Sequence, residues 1–171
     1  MPERFAFHPR ARGLGVPLDG IPGPRNAITD VVGVEVGHVT LLSDGDVGTA
    51  QRIARTGVTA VLPRGKDPTP CFAGWIPFNG YGEITGTAWI DESGLLAGPI
   101  LSTNTYSVGL VRDAVLSWAL NHGFSAETQW GYPVVGETWD GYLNDIEAFH
   151  VTKEHVFAAI DGASTGGVPE G

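Results

Sequence analysis

The chain has 171 residues, of which 42% are hydrophobic, and this is the size of one domain with a substantial core. Ten Lys and Arg against nineteen Asp and Glu give a net charge of −9, which disfavours nucleic acid and anionic membrane surfaces as partners. The single cysteine, Cys71, excludes an internal disulfide and a multi-thiolate metal site. No stretch has the pattern of a membrane span or a signal peptide, so we predict a soluble, cytoplasmic protein.

The first predicted feature is an N-terminal arm. Residues 1–26 are rich in Arg, Gly and Pro and have no hydrophobic periodicity, so we expect them to lie extended over a domain formed by residues 27–171. Alternating apolar residues from Val34 to Leu41 predict a strand. A second β-like run covers residues 57–62, where Pro63 is expected to stop it.

The rest of the chain alternates predicted strands with predicted helices. A strand buried on both faces, residues 97–103, leads into the clearest helix, whose apolar stripe runs from Leu110 to Ala119. Ser107 is its predicted N-cap and Gly123 its C-terminal stop. The other predicted elements, in chain order, are a strand at 71–76, a loop at 77–82, a short helix at 83–92 ended by Gly94, a strand at 132–135, and a helix at 152–161 with Val156, Phe157 and Ile160 inward.

The junction between the buried strand and the clearest helix is the first candidate site. Free backbone N–H groups and the positive end of the helix dipole gather at a helix N-terminus, where they stabilise an oxyanion or a carboxylate. Asn104, Thr105 and Tyr106 would present donors there. The alternative interpretation is structural: Ser107 caps the helix and Asn104 satisfies a turn.

The second candidate is the segment Asn79-Gly-Tyr-Gly-Glu83, which has Trp75 before it and Trp89 after it. Its two glycines allow a sharp turn that would place Glu83 among aromatic side chains. Desolvation there would perturb the pKa of Glu83 and strengthen any ion pair, which suits recognition of a substrate ammonium group. The alternative is a negative charge at the N-terminus of a helix.

The third candidate lies between residues 134 and 145, where carboxylates, aromatic side chains and an amide follow a predicted strand. Paired carboxylates can perform acid–base chemistry or bind a hard cation, but the spacing does not match a calcium loop and no histidine pair indicates zinc. We therefore predict no metal, and a structural polar network is the alternative to a catalytic role. The residues concerned are Glu137, Trp139, Asp140, Tyr142, Asn144 and Asp145.

Five segments in order carry a family resemblance: residues 25–40, 57–64, 79–86, 98–109 and 137–145. Among them are Asn79-Gly-Tyr-Gly-Glu83 and the run Ser102-Thr-Asn-Thr-Tyr106. Together they closely resemble the D-stereospecific L-aminopeptidase and β-aminopeptidase family. The resemblance implies a four-layer αββα sandwich of the α/β class. It also implies a precursor that cleaves itself into α and β subunits, and assembly as a homo-oligomer, often a tetramer of αβ units.

The function implied by the resemblance is that of a serine aminopeptidase without a cofactor. The N-terminal serine of the β subunit would act as nucleophile and, through its own amino group, as general base. The chain would then be the α-subunit portion, inactive alone, of an enzyme that releases N-terminal residues from short peptides, amides or esters through an acyl-enzyme. An acyltransferase of the ornithine acetyltransferase type and a catalytically silent fragment or binding module are the alternatives.

The resemblance also assigns roles to the candidate residues. Glu83 would hold the free amino group of the substrate, between Trp75 and Trp89. Asn104 and Tyr106 would line the oxyanion side or orient the incoming serine. The other members of the three candidate sites would form the wall of the substrate pocket or support it: Glu137 and Trp139 in the wall, and Asn79, Tyr81 and Asn144 in support.

Overall fold

The computed structural model of the protein describes residues 11–45, 52–124 and 131–168. Strands and helices alternate along the chain. The strands are β1 Glu35–Ser43, β2 Ala54–Lys66, β3 Cys71–Phe72, β4 Leu95–Leu96, β5 Ile100–Asn104 and β6 Val134–Thr138. The helices are α1 Thr87–Ser93, α2 Val108–Asn121 and α3 Lys153–Asp161, with short 3-10 helices at Ile28–Asp30, Thr105–Ser107 and Ile146–Ala148.

The main sheet has four strands in the order β1-β2-β5-β6. β1, β2 and β5 are antiparallel neighbours, whereas β5 and β6 run parallel. Parallel strands need a crossover connection, and α2 provides it between β5 and β6. The carboxyl end of β5 therefore leads into the N-terminus of the crossover helix.

Helices α2 and α3 cover one face of this sheet and form the main core with it. Trp118 of α2 and Ile160 of α3 are fully buried there, and Trp118 Nε1 donates to Asp161 Oδ1 at 2.9 Å. Residues of every main strand except β1 are buried in the same core, and Val39 and Leu41 of β1 pack against it. The described residues thus form one layer of helices packed on one sheet, in agreement with the predicted α/β class.

A smaller apolar cluster ties the remaining elements to the start of β6. It joins Ile90 of α1, Leu96 of β4 and Val134 of β6, with Cys71 and Trp75 against them. The residues before α1 also reach β6: Thr85 N donates to the carbonyl oxygen of Val135 at 3.0 Å. This cluster fixes the position of the segment that carries Glu83.

The observed strands differ from the predicted strands at three places. β2 continues through Pro63, because this residue lies beyond the last residues of β2 that pair with β1 and β5. No neighbouring strand there requires a hydrogen bond from its backbone nitrogen. The strand predicted at 71–76 stops at Phe72, because its partner β4 has only two residues. The prediction for 132–135 is shifted toward the carboxyl end, to Val134–Thr138.

The predicted helices are present with altered boundaries. α1 begins at Thr87 rather than residue 83, because Gly86 adopts a left-handed conformation (φ 76°) and the residues before it pair with β6. The last helix is confirmed, with Phe157 only partly buried. In α2 the inward position predicted for Leu110 is wrong: it is exposed, and the buried residues are Val108, Val111, Ala114, Val115, Trp118 and Ala119.

The strand predicted to be buried on both faces is buried on one. In β5, Leu101 and Thr103 face the helices, whereas Ile100 and Ser102 are exposed on the opposite face. Residues 11–26 of the predicted arm contain no helix or strand and are mostly exposed, and residues 1–10 lie outside the described part of the chain. No helix of the described ranges has the length and apolarity to cross a membrane.

Candidate active site

The candidate site is a cleft of about 230 Å³ at the carboxyl end of β5. It lies where the pairing of β2 with β5 ends, since the last paired residues are Thr59 and Ser102. Pairing of β5 with β6, in contrast, continues to Asn104 and Thr138. The cleft is lined by residues of all three strands and of the loop after β6: Arg55, Thr56, Gly57, Ser102, Thr103, Asn104, Thr138 and Asp140.

Asn104 is a buried polar residue in the lining of this cleft and is only 3% exposed. Its Oδ1 accepts a hydrogen bond from the backbone N–H of Ser107 at 3.0 Å, and its Nδ2 donates to Thr56 Oγ1 at 2.9 Å. The predicted cap is therefore corrected: the Ser107 side chain makes no capping bond, and Asn104 caps the 3-10 turn instead. Because an amide nitrogen carries two hydrogens, one remains available beyond the bond to Thr56.

Tyr106 belongs to an aromatic cluster beside the cleft. Its ring stacks on Phe149 with the centroids 6.0 Å apart and meets the edge of Trp139 at 6.2 Å. All three rings are about half-exposed. The structure thus brings together Tyr106 and Trp139, which the sequence placed in separate candidate sites, and adds Phe149, which sequence reasoning missed.

Glu83 lies alongside β6 and is held there by its backbone. Its N–H donates to Glu137 Oε1 at 3.1 Å, and its carbonyl oxygen accepts from the N–H of Glu137 at 3.2 Å. Glu137 lies on β6, and the next residue of that strand, Thr138, lines the cleft. The Glu83 segment and the cleft therefore both border β6. The side chain of Glu83 is exposed.

The aromatic enclosure predicted for Glu83 is not formed by the described residues. Trp75 instead donates from Nε1 to Asp91 Oδ1 at 2.8 Å, and Trp89 stacks on Tyr132 with the centroids 5.6 Å apart. Both tryptophans therefore support the region around α1. The side chain of Glu83 is therefore exposed and not enclosed by these two rings.

Asn79 and Tyr81 form a turn ahead of Glu83. The Oδ1 of Asn79 accepts from the backbone N–H of Tyr81 at 2.9 Å, which is the hydrogen bond of an Asx turn. The Tyr81 side chain is 96% exposed. Asn79 thus shapes the loop that precedes Glu83.

Asn144 connects the loop after β6 to the start of β2. Its Oδ1 accepts from the backbone N–H of Arg55 at 3.1 Å, and its Nδ2 donates to Asp140 Oδ1 at 3.1 Å. An ion pair between Arg52 and Asp145 joins the same two segments. These contacts favour the structural network over acid–base chemistry for the third candidate. Within the described ranges, no three His, Cys, Asp or Glu side chains are grouped to hold a metal ion.

Arg55 and Thr56 are cleft residues that sequence reasoning missed. They precede the motif at 57–64 and belong to no pattern of their own. The Arg55 guanidinium is directed away to the end of β1, where it donates to the carbonyl oxygen of Ser43 and pairs with Asp44. The hydroxyl of Thr56 accepts the hydrogen bond from Asn104 Nδ2.

The sequence profile of peptidase family S58 matches residues 26–171. The chain belongs to peptidase family S58. Among S58 relatives, it is 54% identical over 165 residues to the β-peptidyl aminopeptidase BapA of Sphingosinicella microcystinivorans. It is 47% identical over 167 residues to the BapA of Sphingosinicella xenopeptidilytica. Each match covers 95% of this chain and 41% of the relative, so the chain spans less than half of their length.

Solved structures agree with this assignment to S58. The L-aminopeptidase D-Ala-esterase/amidase of Ochrobactrum anthropi, described as a prototype for the serine aminopeptidases and a variant of the Ntn hydrolase fold, superposes with a TM-score of 0.84 at 43% identity. The β-aminopeptidase of a Burkholderia species superposes at 0.81 and 48% identity. These matches cover 94% and 93% of this chain and 46% and 44% of the respective structures. The predicted family resemblance and fold class are confirmed.

Proposed function

We propose that this S58 chain supplies the α-subunit portion of a serine aminopeptidase that releases N-terminal residues from short peptides, amides or esters through an acyl-enzyme. The observation that carries the proposal is the cleft at the carboxyl end of β5, where the amide of Asn104 is held at both ends and buried. Membership of a peptidase family and the aminopeptidase names of the relatives support it.

Asn104 would stabilise the oxyanion that develops when the substrate carbonyl is attacked. A donor is effective in this role when it is preorganised and shielded from water, because no reorganisation is then needed during the reaction. The Asn104 amide meets both conditions: it is 3% exposed, and Ser107 N–H fixes the orientation of its oxygen. Tyr106 and Trp139, at the rim, would contact the substrate or the incoming nucleophile.

Glu83 would bind the free amino group of the substrate. Its segment pairs with Glu137 of β6, whose next residue is in the cleft wall, so a carboxylate is available beside the site. An exposed carboxylate binds a cation weakly in water, and its contribution grows when the surroundings exclude solvent. The remaining length of the protein would provide that exclusion.

The nucleophile would come from a β subunit of the same precursor. Ser102, Thr56 and Thr103 line the cleft, but its described lining contains no histidine to act as a base, and its one carboxylate, Asp140, accepts a hydrogen bond from Asn144. An N-terminal serine needs no such base, because its own α-amino group serves. The αβ units would further assemble into a homo-oligomer, often a tetramer in this family.

The experiment compares this chain alone with the same chain produced together with a nucleophile-bearing β portion of an S58 relative. Release of p-nitroaniline from amino-acid p-nitroanilides is measured for both, with N-acetylated substrates as the control for a free amino end. We expect hydrolysis only in the combined sample and only of free-amino substrates. Absence of turnover in the combined sample, or transfer of the acyl group to an added amine in preference to water, would overturn the proposal.

A further inference from the structure

We propose that Thr56 is a positioning residue whose hydroxyl holds the Asn104 amide with one Nδ2 hydrogen directed into the cleft. The proposal rests on the oxyanion role proposed above for Asn104. Thr56 lies on β2, and Asn104 lies at the end of β5, so the contact spans the two strands that border the cleft.

The place of this contact follows from the end of the strand ladder. Regular pairing of β2 with β5 ends at Thr59 and Ser102, and beyond that pair two side-chain hydrogen bonds join the strands. Thr103 Oγ1 donates to the carbonyl oxygen of Gly57 at 3.1 Å, and Asn104 Nδ2 donates to Thr56 Oγ1 at 2.9 Å. Side chains thus replace backbone bonds where the cleft opens.

The two ends of the Asn104 amide are fixed by different partners. The Ser107 N–H can only donate, so the amide oxygen must face it and the nitrogen must face β2. The Thr56 hydroxyl, which can accept, then takes one of the two hydrogens on Nδ2. The second hydrogen is left for a ligand in the cleft, so loss of the hydroxyl removes the restraint on its direction.

Thr56 itself is held on both sides through the backbone. The N–H of Arg55 donates to Asn144 Oδ1 at 3.1 Å, and the carbonyl of Gly57 accepts from Thr103. Asn144 is in turn hydrogen-bonded to Asp140. Asn144 would support the site in this way, because it fixes the backbone of Arg55, the residue next to Thr56.

Thr56→Val and Thr56→Ser test the role in the assembled enzyme. Valine keeps the branched shape and removes the hydroxyl, so we expect kcat to fall about tenfold with KM changed by less than about twofold. Serine retains the hydroxyl and is expected to keep kcat within about twofold of the parent. Thr29→Val is the matched control, since Thr29 is 3% exposed and donates to the carbonyl of Gly166 away from the cleft. It is expected to lower Tm but not kcat.

A double variant separates positioning from general destabilisation. If Thr56 acts through Asn104, Thr56→Val has no further effect on kcat when Asn104→Ala is already present. A full additional tenfold loss, or failure of serine to rescue, would refute the proposal.

Amide hydrogen exchange of the Asn104 side chain in the ¹⁵N-labelled assembly tests the contact without turnover. We expect one slowly exchanging Nδ2 hydrogen in the parent and none in Thr56→Val. Equal exchange in both proteins contradicts the positioning role, even if the parent shows no aminopeptidase activity. An inactive parent with the expected exchange difference would refute the proposed function alone.

Discussion

Asn104 would combine two tasks that the sequence presented as alternatives. Its oxygen caps the turn before α2, and its nitrogen donates to Thr56 in the lining of the cleft. One side chain can serve both because an amide has an acceptor at one end and two donor hydrogens at the other. The hydrogen bond from Ser107 N–H to Oδ1 therefore restricts rotation of the amide. It uses neither of the two donor hydrogens on Nδ2.

Asn104→Ala is expected to lower kcat of the assembled enzyme on the order of a hundredfold. The same variant removes the cap on Ser107 N–H, so the free energy of unfolding is expected to fall by about 1 kcal/mol. Steady-state kinetics and thermal unfolding are measured on the same preparation. A loss of stability with an unchanged kcat would show that Asn104 only caps the turn.

Glu83→Gln is expected to raise KM and lower kcat/KM for substrates with a free amino end, because the amide keeps the size of the side chain and removes its charge. Self-cleavage of the precursor is expected to continue, since no substrate amine takes part in it. Glu92→Gln is the control: Glu92 is an exposed carboxylate on α1 and has no assigned role. An unchanged kcat/KM in Glu83→Gln would contradict the assignment.

Sequence alone identified Asn104 and Glu83 but not Thr56 or Phe149. The first two stand at a strand–helix junction and in a glycine-bearing turn, which are local patterns. Thr56 is 48 positions from its partner Asn104, and the stacking of Phe149 on Tyr106 likewise depends on the fold. Contacts between distant segments leave no periodic signal, so only the structure shows them.

At the scale of elements, the backbones of α3 and β1 approach each other closely at Gly37. A Cβ added to Gly37 of β1 would collide with the backbone carbonyl oxygen of Ala159 in α3. Backbone atoms on both sides leave no flexible group to move. Glycine at this position therefore sets the distance between the helix layer and the sheet.

Gly37→Ala is expected to destabilise the protein by about 1–3 kcal/mol, measured by denaturant unfolding of the assembled enzyme. Gly109→Ala is the matched control, because a Cβ there meets nothing within 4 Å. Since Gly109 lies in α2, this second change is expected to stabilise by about 0.5–1 kcal/mol. Equal stabilities of the two variants would show that α3 shifts freely on the sheet.

The types of these elements could be predicted from the sequence, whereas the residues at which they begin and end depend on the neighbouring elements. The alternation of β1 and the periodicity of α2 and α3 indicated the correct elements. Pro63 did not end β2 because the neighbouring strands end first, and Gly86 delayed α1 because its left-handed conformation turns the chain away from β6. Neither effect can be derived from the residue itself.

At the scale of the whole molecule, one loop presents an unusual amount of apolar surface. Four large side chains, one at the end of β3 and three in the loop that follows it, are 81–97% exposed: Phe72, Ile76, Phe78 and Tyr81. Apolar side chains grouped in this way favour association, whereas the net charge of −9 opposes it by repulsion that salt screens.

We expect the chain alone to self-associate and the double variant Phe78→Ser with Tyr81→Ser to do so less, as measured by light scattering at a fixed protein concentration. Tyr142→Ser is the control, because Tyr142 is 93% exposed but lies outside this loop. Equal scattering by the parent and the double variant would show that association does not depend on the loop.

The class of fold could be predicted for the whole molecule, but the one-sided burial of its sheet could not. The predicted strand at 97–103 begins with five residues that carry no polar side chain, which indicated burial on both faces. In the structure Ile100 and Ser102 are exposed opposite the helix layer. Ile100 is thus 37% exposed on the face away from α2 and α3.

The outer edge of β6 has a consequence for how peptides are recognised. The N–H and carbonyl groups of Val135 are bonded to Thr85, and the N–H of Glu137 is bonded to Glu83. An extended peptide needs free main-chain groups to join a sheet as an extra strand, and this edge has them already paired. In the proposed aminopeptidase, a peptide in the neighbouring cleft would therefore not be held as an added strand at this part of β6.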